Sequence, residues 1–138
     1  MSRDTPRASA FGEGPVHRML GLELGAWSDE SAEVRMDVRP EFVHEGGIVQ
    51  GGILTALADA AAVYLLIGSD RPGHGVTSID LSVNFLNPAT PGGPPLSAVA
   101  VPVKRGRRVA VCRSSIYQGD THVAEGVLTY LFLEPRTA

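Results

Sequence analysis

From Gly46 to Ser69 the chain reads GGIVQGGILTALADAAAVYLLIGS, an apolar run whose one charged side chain is Asp59. Leu54, Ala58, Ala61 and Leu65 recur at three- and four-residue spacing, and the other faces are apolar as well. This pattern predicts a helix from about Gly52 to Ile67 that is surrounded by protein rather than laid on a surface. Upstream, SAEVRMDV sets Val34, Met36 and Val38 between polar neighbours, the period-two mark of a half-buried strand. Before it, HRMLGLELGAW reads as a short helix passing into an extended run, with SDE as the turn and RPEFVHEGG as the loop leading to the long helix.

Dense breakers in GSDRPGHG end that helix. Four strand segments follow: VTSIDLSVNFL, PLSAVAVPVK, RRVAVCRSSIYQ and HVAEGVLTYLFLE. In the first of them Ile79, Leu81, Val83 and Phe85 share a face. NPATPGGPP separates the first two, while KRGRR and QGDT are tight turns, which favour antiparallel neighbours. The fold class is therefore α+β, an antiparallel sheet curled around one long central helix.

A length of 138 residues fits one domain. It is read as a polar, flexible tail over residues 1–15 and a single domain over residues 16–138. A net charge of −3 gives no reason to expect nucleic acid as a partner. The single cysteine, Cys112, excludes an intramolecular disulfide, agrees with a reducing, cytoplasmic setting, and reads as a small strand residue of the core. The N-terminal segment lacks the apolar stretch of a secretory signal. Ile48 to Ile67 approaches the length of a membrane span. Gln50, Gly51, Gly52 and Asp59 within it, and the lack of flanking basic and aromatic anchors, favour a buried helix and no membrane. His17, His74 and His122 have no metal-ligand spacing, so no metal site is expected. Phosphate-binding and dinucleotide fingerprints are absent.

A lone carboxylate in apolar surroundings is costly unless it is hydrogen-bonded, paired or solvated in a pocket. Asp59 is therefore the foremost candidate for chemistry, and its position after a double glycine matters. HEGGIVQGGILTALADAAAVYLL, VTSIDLSVNFLNPATPG, the turn KRGRR and QGDTHVAEG together resemble the hotdog-fold acyl-CoA thioesterases, in the PaaI-like (phenylacetate-degradation) branch of the 4-hydroxybenzoyl-CoA thioesterase superfamily. The resemblance covers most of the chain after the tail. It implies the hotdog fold, an antiparallel β-sheet wrapped around one long central α-helix. It also implies an acyl-CoA substrate with coenzyme A as part of that substrate rather than a cofactor. Two positions depart from the family pattern: Gln50 stands where the family has His before the paired glycines, and His44 where it has Asn.

Thioester hydrolysis needs an activated water or a nucleophile, and donors for the developing oxyanion. The resemblance casts Asp59 as general base or as nucleophile. The plain alternative is an Asp that satisfies neighbouring backbone or a hydroxyl. Gly51 and Gly52 open the helix, where free N–H groups and the positive dipole end favour an oxyanion. Equally, they are small so that the helix can pack closely. The resemblance implies that the Gly51 N–H polarises the carbonyl. His44 and Gln50 are candidate hydrogen-bonding groups for substrate or water. Ser78 matches the family's water-orienting hydroxyl, with Thr77 next to it if the register slips. Lys104, Arg105, Arg107 and Arg108 form a basic turn that is either a solvated hairpin tip or a contact for the nucleotide phosphates.

Gly51 and Asp59 are eight residues apart, about 12 Å along a helix at ~1.5 Å per residue. Reacting atoms must approach within about 3–3.5 Å. One helix is thus a poor source of both groups for one substrate. An antiparallel copy across a two-fold axis would supply the missing one, which predicts a homodimer with two shared sites. The resemblance extends this to a dimer of dimers. The activity expected is hydrolysis of an aryl- or short/medium-chain acyl-CoA. The alternatives on the same fold are a non-catalytic acyl-CoA-binding protein and an enoyl-thioester hydratase or dehydratase.

Overall fold

The computed structural model describes residues 11, 13–67 and 75–134. A short helix α1 (Pro15–Leu20) leads into strands β1 (Glu23–Trp27) and β2 (Ala32–Met36). A 3-10 turn (Pro40–Phe42) and a loop then reach the long helix α2 (Gly51–Ile67). Strands β3 (Gly75–Phe85), β4 (Leu96–Arg105), β5 (Val109–Gln118) and β6 (Thr121–Leu133) complete the chain. They form one six-stranded sheet in the order β1-β2-β4-β5-β6-β3, with every neighbouring pair antiparallel. The expected α+β architecture, a sheet wrapped around a single long helix, is the one that forms.

The sheet can wrap so closely because both layers carry small side chains. Ala58, Ala61 and Ala62 of α2 are fully buried, as are Ala98, Ala100, Ala110 and Ala124 of the strands, with Leu57, Leu65, Leu96, Ile116 and Leu128 filling the volume between them. Cys112 belongs to this core as a free thiol, and burial pushes its pKa up to about 11. The end of α2 is tied to the first strand. The Trp27 indole donates to the Leu65 carbonyl at 3.2 Å, and the Tyr64 hydroxyl to the Gly25 carbonyl at 3.2 Å. Leu65 lies in the last turn, whose carbonyls have no donor within the helix.

α1 stops at Gly21, whose φ of 70° suits glycine. The N–H groups of Gly21 and Leu22 close back onto the carbonyls of Arg18 and His17. Of the tail segment, residues 1–10 and 12 lie outside the described residues. The Phe11 ring stacks on Tyr64 with centroids 6.1 Å apart, and Pro15 already begins α1. Most of the breaker segment, residues 68–74 with His74, also lies outside the described residues. Among the described residues no helix is long and apolar enough to cross a membrane.

β3 positions the site. It is an eleven-residue edge strand, hydrogen-bonded on one side to β6. Ser78 is paired with Tyr130 and Thr77 with Leu131; a bulge between Ser78 and Asp80 then resets the register. Leu81, Val83 and Phe85 lie opposite Leu128, Gly126 and Ala124, so they share the face turned to α2, and Ser78 joins them. Ile79, expected among them, falls in the bulge. It is 57% exposed, and Phe85 54%.

Candidate functional site

α2 begins at Gly51, one residue earlier than its apolar pattern suggests. Gln50 is its cap. Its N–H donates to the Phe42 carbonyl at 2.9 Å, and its own carbonyl accepts from the N–H groups of Ile53 at 3.0 Å and Leu54 at 3.4 Å. The N–H groups of Gly51 and Gly52 come too early in the helix to have an intrahelical acceptor. Among the described residues no other backbone carbonyl takes them. The two glycines differ in their surroundings. A Cβ on Gly51 would come 3.0 Å from Cζ of Phe85, whereas a Cβ on Gly52 would meet nothing within 4 Å. Close packing within the chain accounts for Gly51 alone.

Gly51 lies on the wall of an open cleft of about 400 Å³, lined also by His44, Ile48, Val49, Leu54, Phe85, Leu86, Asn87, Pro88 and Ala89. The lining is mostly apolar, with His44 and Asn87 as its polar side chains. The loop before α2 holds the imidazole in place. The Gly46 N–H donates to His44 Nδ1 at 2.8 Å, and the turn closes through Gly47, whose φ of 87° is glycine territory. Because Nδ1 is an acceptor, the neutral ring carries its proton on Nε2, and His44 offers a donor. Across the cleft, the Val49 N–H donates to the Ala89 carbonyl at 2.9 Å, joining this loop to the chain leaving β3.

Asp59 lies two turns further along α2 and is not part of the cleft wall. It is half-buried, and its Oδ1 accepts the Tyr130 hydroxyl at 2.6 Å. Tyr130 is fully buried on β6. Burial first, then the hydrogen bond and the charge of Asp59, push its phenol far above the usual tyrosine range, so it remains a donor. Ser78, directly opposite Tyr130 on β3, lies on this helix-facing side, while Thr77 lies on the other.

The remaining candidates are dispersed. Gln50 is exposed. Lys104 and Arg105 end β4 beside Asp29 and Glu30, and Arg105 donates to the Asp29 carbonyl. Arg107 and Arg108 face a separate hollow with Leu131, Phe132 and Glu134. The four cations therefore do not form one patch. Among the described residues no three His, Cys, Asp or Glu side chains gather closely enough to hold a metal ion.

One chain thus assembles two groups: His44 and Gly51 at a cleft, and Asp59, Tyr130 and Ser78 further along α2. Both are helical ends of the same eight-residue interval, about 12 Å at ~1.5 Å per residue. Tyr130, which holds Asp59, and Phe85, whose ring lies near Gly51, were not among the candidates drawn from the sequence. The signal available for Phe85 was its place at the end of a strand next to a Pro-containing exit; for Tyr130 there was only a hydroxyl on an inward strand position.

The family model for the thioesterase superfamily matches residues 46–125. The medium/long-chain acyl-CoA thioesterase YigI of Salmonella typhimurium is 28% identical over 133 residues, covering 85% of this chain and 84% of that one. Among solved structures, thioesterase HI1161 of Haemophilus influenzae superposes with a TM-score of 0.86 at 21% identity, covering 97% of this chain and 93% of that one. The PaaI protein of the E. coli phenylacetic acid degradation operon superposes with a TM-score of 0.85 at 20% identity, covering 96% and 94%. At these identities the two structures speak for the fold.

Proposed function

This chain belongs to the thioesterase superfamily and is a thioester hydrolase; on that premise we propose that it hydrolyses a medium-chain or aryl acyl-CoA, with Asp59 as general base or nucleophile. The observation that carries the reading is a helix whose open N-terminus borders an apolar cleft and whose one carboxylate lies two turns further on. The acyl group lies against the apolar wall formed by Ile48, Leu54, Phe85 and Leu86. The name of the relative YigI favours an aliphatic chain of at least medium length.

The reaction runs in one of two ways. Asp59 takes a proton from water, and the hydroxide adds to the thioester carbonyl; or the carboxylate adds directly and the mixed anhydride is then hydrolysed. In either case the carbonyl oxygen becomes an oxyanion that the Gly51 N–H stabilises, with His44 Nε2–H as a second donor. Collapse expels the coenzyme A thiolate. In the base route the thiolate takes the proton held by Asp59 and the free acid is left. In the nucleophile route collapse leaves the mixed anhydride, and its hydrolysis by water releases the free acid, restores Asp59 and supplies the thiolate's proton. Ser78 orients the water.

The donor and the base come from different copies. Antiparallel pairing of β3 with β3 of a second copy would have its two-fold axis normal to the sheet, so both helices stay on one face and run in opposite directions. Phe85 lies over Gly51, and Ser78 lies beside Tyr130 and hence Asp59. A two-fold near Leu81 and Ser82 therefore sets Gly51 of one copy against Asp59 of the other. The long edge and its exposed Ile79 support this association.

Release of free CoA from a panel of acyl-CoAs by the wild type and by Asp59→Ala tests the chemistry. The variant is expected to lose at least about a hundredfold in kcat; full activity in Asp59→Ala removes Asp59 from the mechanism. Mixing Asp59→Ala with the double variant Gly51→Pro/Phe85→Ala tests sharing: proline at the first helical position removes the N–H in question, and removing the Phe85 ring makes room for the proline carbons that it would otherwise crowd. Activity returns in verified heterodimers if each site draws on both copies, and stays absent if it does not.

A further inference from the structure

We propose that Tyr130 is a positioning residue for the hydrolysis, holding Asp59 Oδ1 so that Oδ2 is the oxygen that takes the proton from water or attacks the carbonyl. The proposal rests on the reading of Asp59 as base or nucleophile.

The geometry is specific. The phenol donates to Oδ1 at 2.6 Å, a short charge-assisted bond, while its contact with the Asp59 backbone carbonyl is long at 3.4 Å. Oδ2 accepts no hydrogen bond among the described residues. A free Asp side chain on a helix samples several rotamers. Here one oxygen is fixed from outside the helix by the largest fully buried side chain among the described residues. Its strand, β6, is held on both sides, by β5 and β3, so the anchor cannot drift.

Tyrosine suits this task better than a cation would. An Arg or Lys next to Asp59 would neutralise the charge on which its basicity depends. A phenol orients the carboxylate and leaves the net charge at −1. Burial and the adjacent carboxylate keep the phenol protonated, so it donates throughout the working pH range. The neighbouring position on β3 is Ser78, which places a second hydroxyl on the same face without competing for Oδ1. A buried phenol also needs an acceptor for its own sake, and the same bond would exist if Asp59 did no more than satisfy Tyr130. Kinetics separate the two roles.

The test compares full-length wild type, Tyr130→Phe, Asp59→Asn and the double variant, following CoA release from octanoyl-CoA and phenylacetyl-CoA together with thermal unfolding. Tyr130→Phe is expected to lower kcat by roughly tenfold to a hundredfold, with KM within about twofold. In the Asp59→Asn background it is expected to cost nothing further, because it acts only through Asp59. Wild-type kcat in folded Tyr130→Phe overturns the positioning role and leaves Asp59 as base untouched. An undiminished loss in the Asp59→Asn background overturns it too. Wild-type activity in Asp59→Asn overturns the reading of Asp59 itself. If Tyr130→Phe does not fold, 3-fluorotyrosine at position 130 keeps the shape and the donor but strengthens the bond. A kcat lowered by about twofold or more at unchanged unfolding temperature supports the proposal, and an unchanged kcat overturns it.

Discussion

The ring of Phe85 lies over Gly51 so closely that a methyl group on Gly51 would come 3.0 Å from Cζ. That contact leaves no room for a side chain on Gly51. Gly51→Ala keeps the N–H but pushes the ring or the incoming carbonyl away. It is expected to lower kcat/KM by roughly tenfold or more, since misplacement on the ångström scale costs up to about a hundredfold. Adding Phe85→Ala restores the space, so the double variant is expected to be faster than Gly51→Ala alone. Steady-state kinetics of the three variants measure this coupling.

The second prediction concerns which nitrogen of His44 carries the proton. With Nδ1 accepting from the Gly46 N–H, 15N NMR of the neutral ring is expected to report the Nε2–H tautomer. His44→Asn, which still presents an N–H donor, is expected to retain far more activity than His44→Phe. Equal loss in both variants would exclude a donor role.

In the proposed dimer, a charge placed at Ile79 on the β3 edge would be brought against β3 of the second copy, near its Asn84. Ile79→Lys is expected to yield a folded monomer, seen by sedimentation, that has lost thioesterase activity. A dimeric and active Ile79→Lys would show that the association does not run through β3.

Stability at alkaline pH follows from Cys112. Its thiol is held up at about 11 by burial, against an ordinary value of 9.0. The folded state therefore keeps a proton that the unfolded chain gives up above pH 9. Its stabilising contribution is complete below pH 9 and is lost as the pH rises to about 11, by a total on the order of 3 kcal/mol. The Tyr130 phenol acts in the same direction above pH 10. Urea unfolding at pH 8 and pH 10.5 is expected to show a smaller pH-dependent loss in Cys112→Ala than in the wild type. Alkylation of Cys112 at pH 8 is expected only after unfolding.

Asp59 and Gly51 stand out in the sequence as candidates because each breaks a local pattern, a charge in an apolar run and a glycine pair before a helix. The four strands after α2 were legible from alternation and turn residues. The order of the sheet was not, because a period of two says which face a residue occupies and nothing about which strand lies beside it. β3 follows α2 directly yet pairs with β6, the last strand. Tyr130 was hidden for the same reason. In VLTYLFL it is one apolar position among several, and its partner Asp59 is 71 residues away. The cleft depends on a junction of equal subtlety, the Val49 N–H reaching the Ala89 carbonyl.

The alanine-rich contact between α2 and the sheet has a bearing on how this scaffold changes over time. With Ala58, Ala61 and Ala62 set against Ala98, Ala100 and Ala110, the interior has no room to spare for a ligand. Most of the cleft wall comes instead from residues 44–49 before α2 and from residues 85–89, the end of β3 and the chain leaving it; of these, Val49 and Ala89 are buried in the core. On the proposed reading of the cleft, changes at its exposed apolar members, Phe85 and Leu86, would redirect the enzyme toward a different acyl group while leaving the alanine layer intact. Specificity would then drift at the exposed rim of the cleft while the alanine layer holds the fold constant.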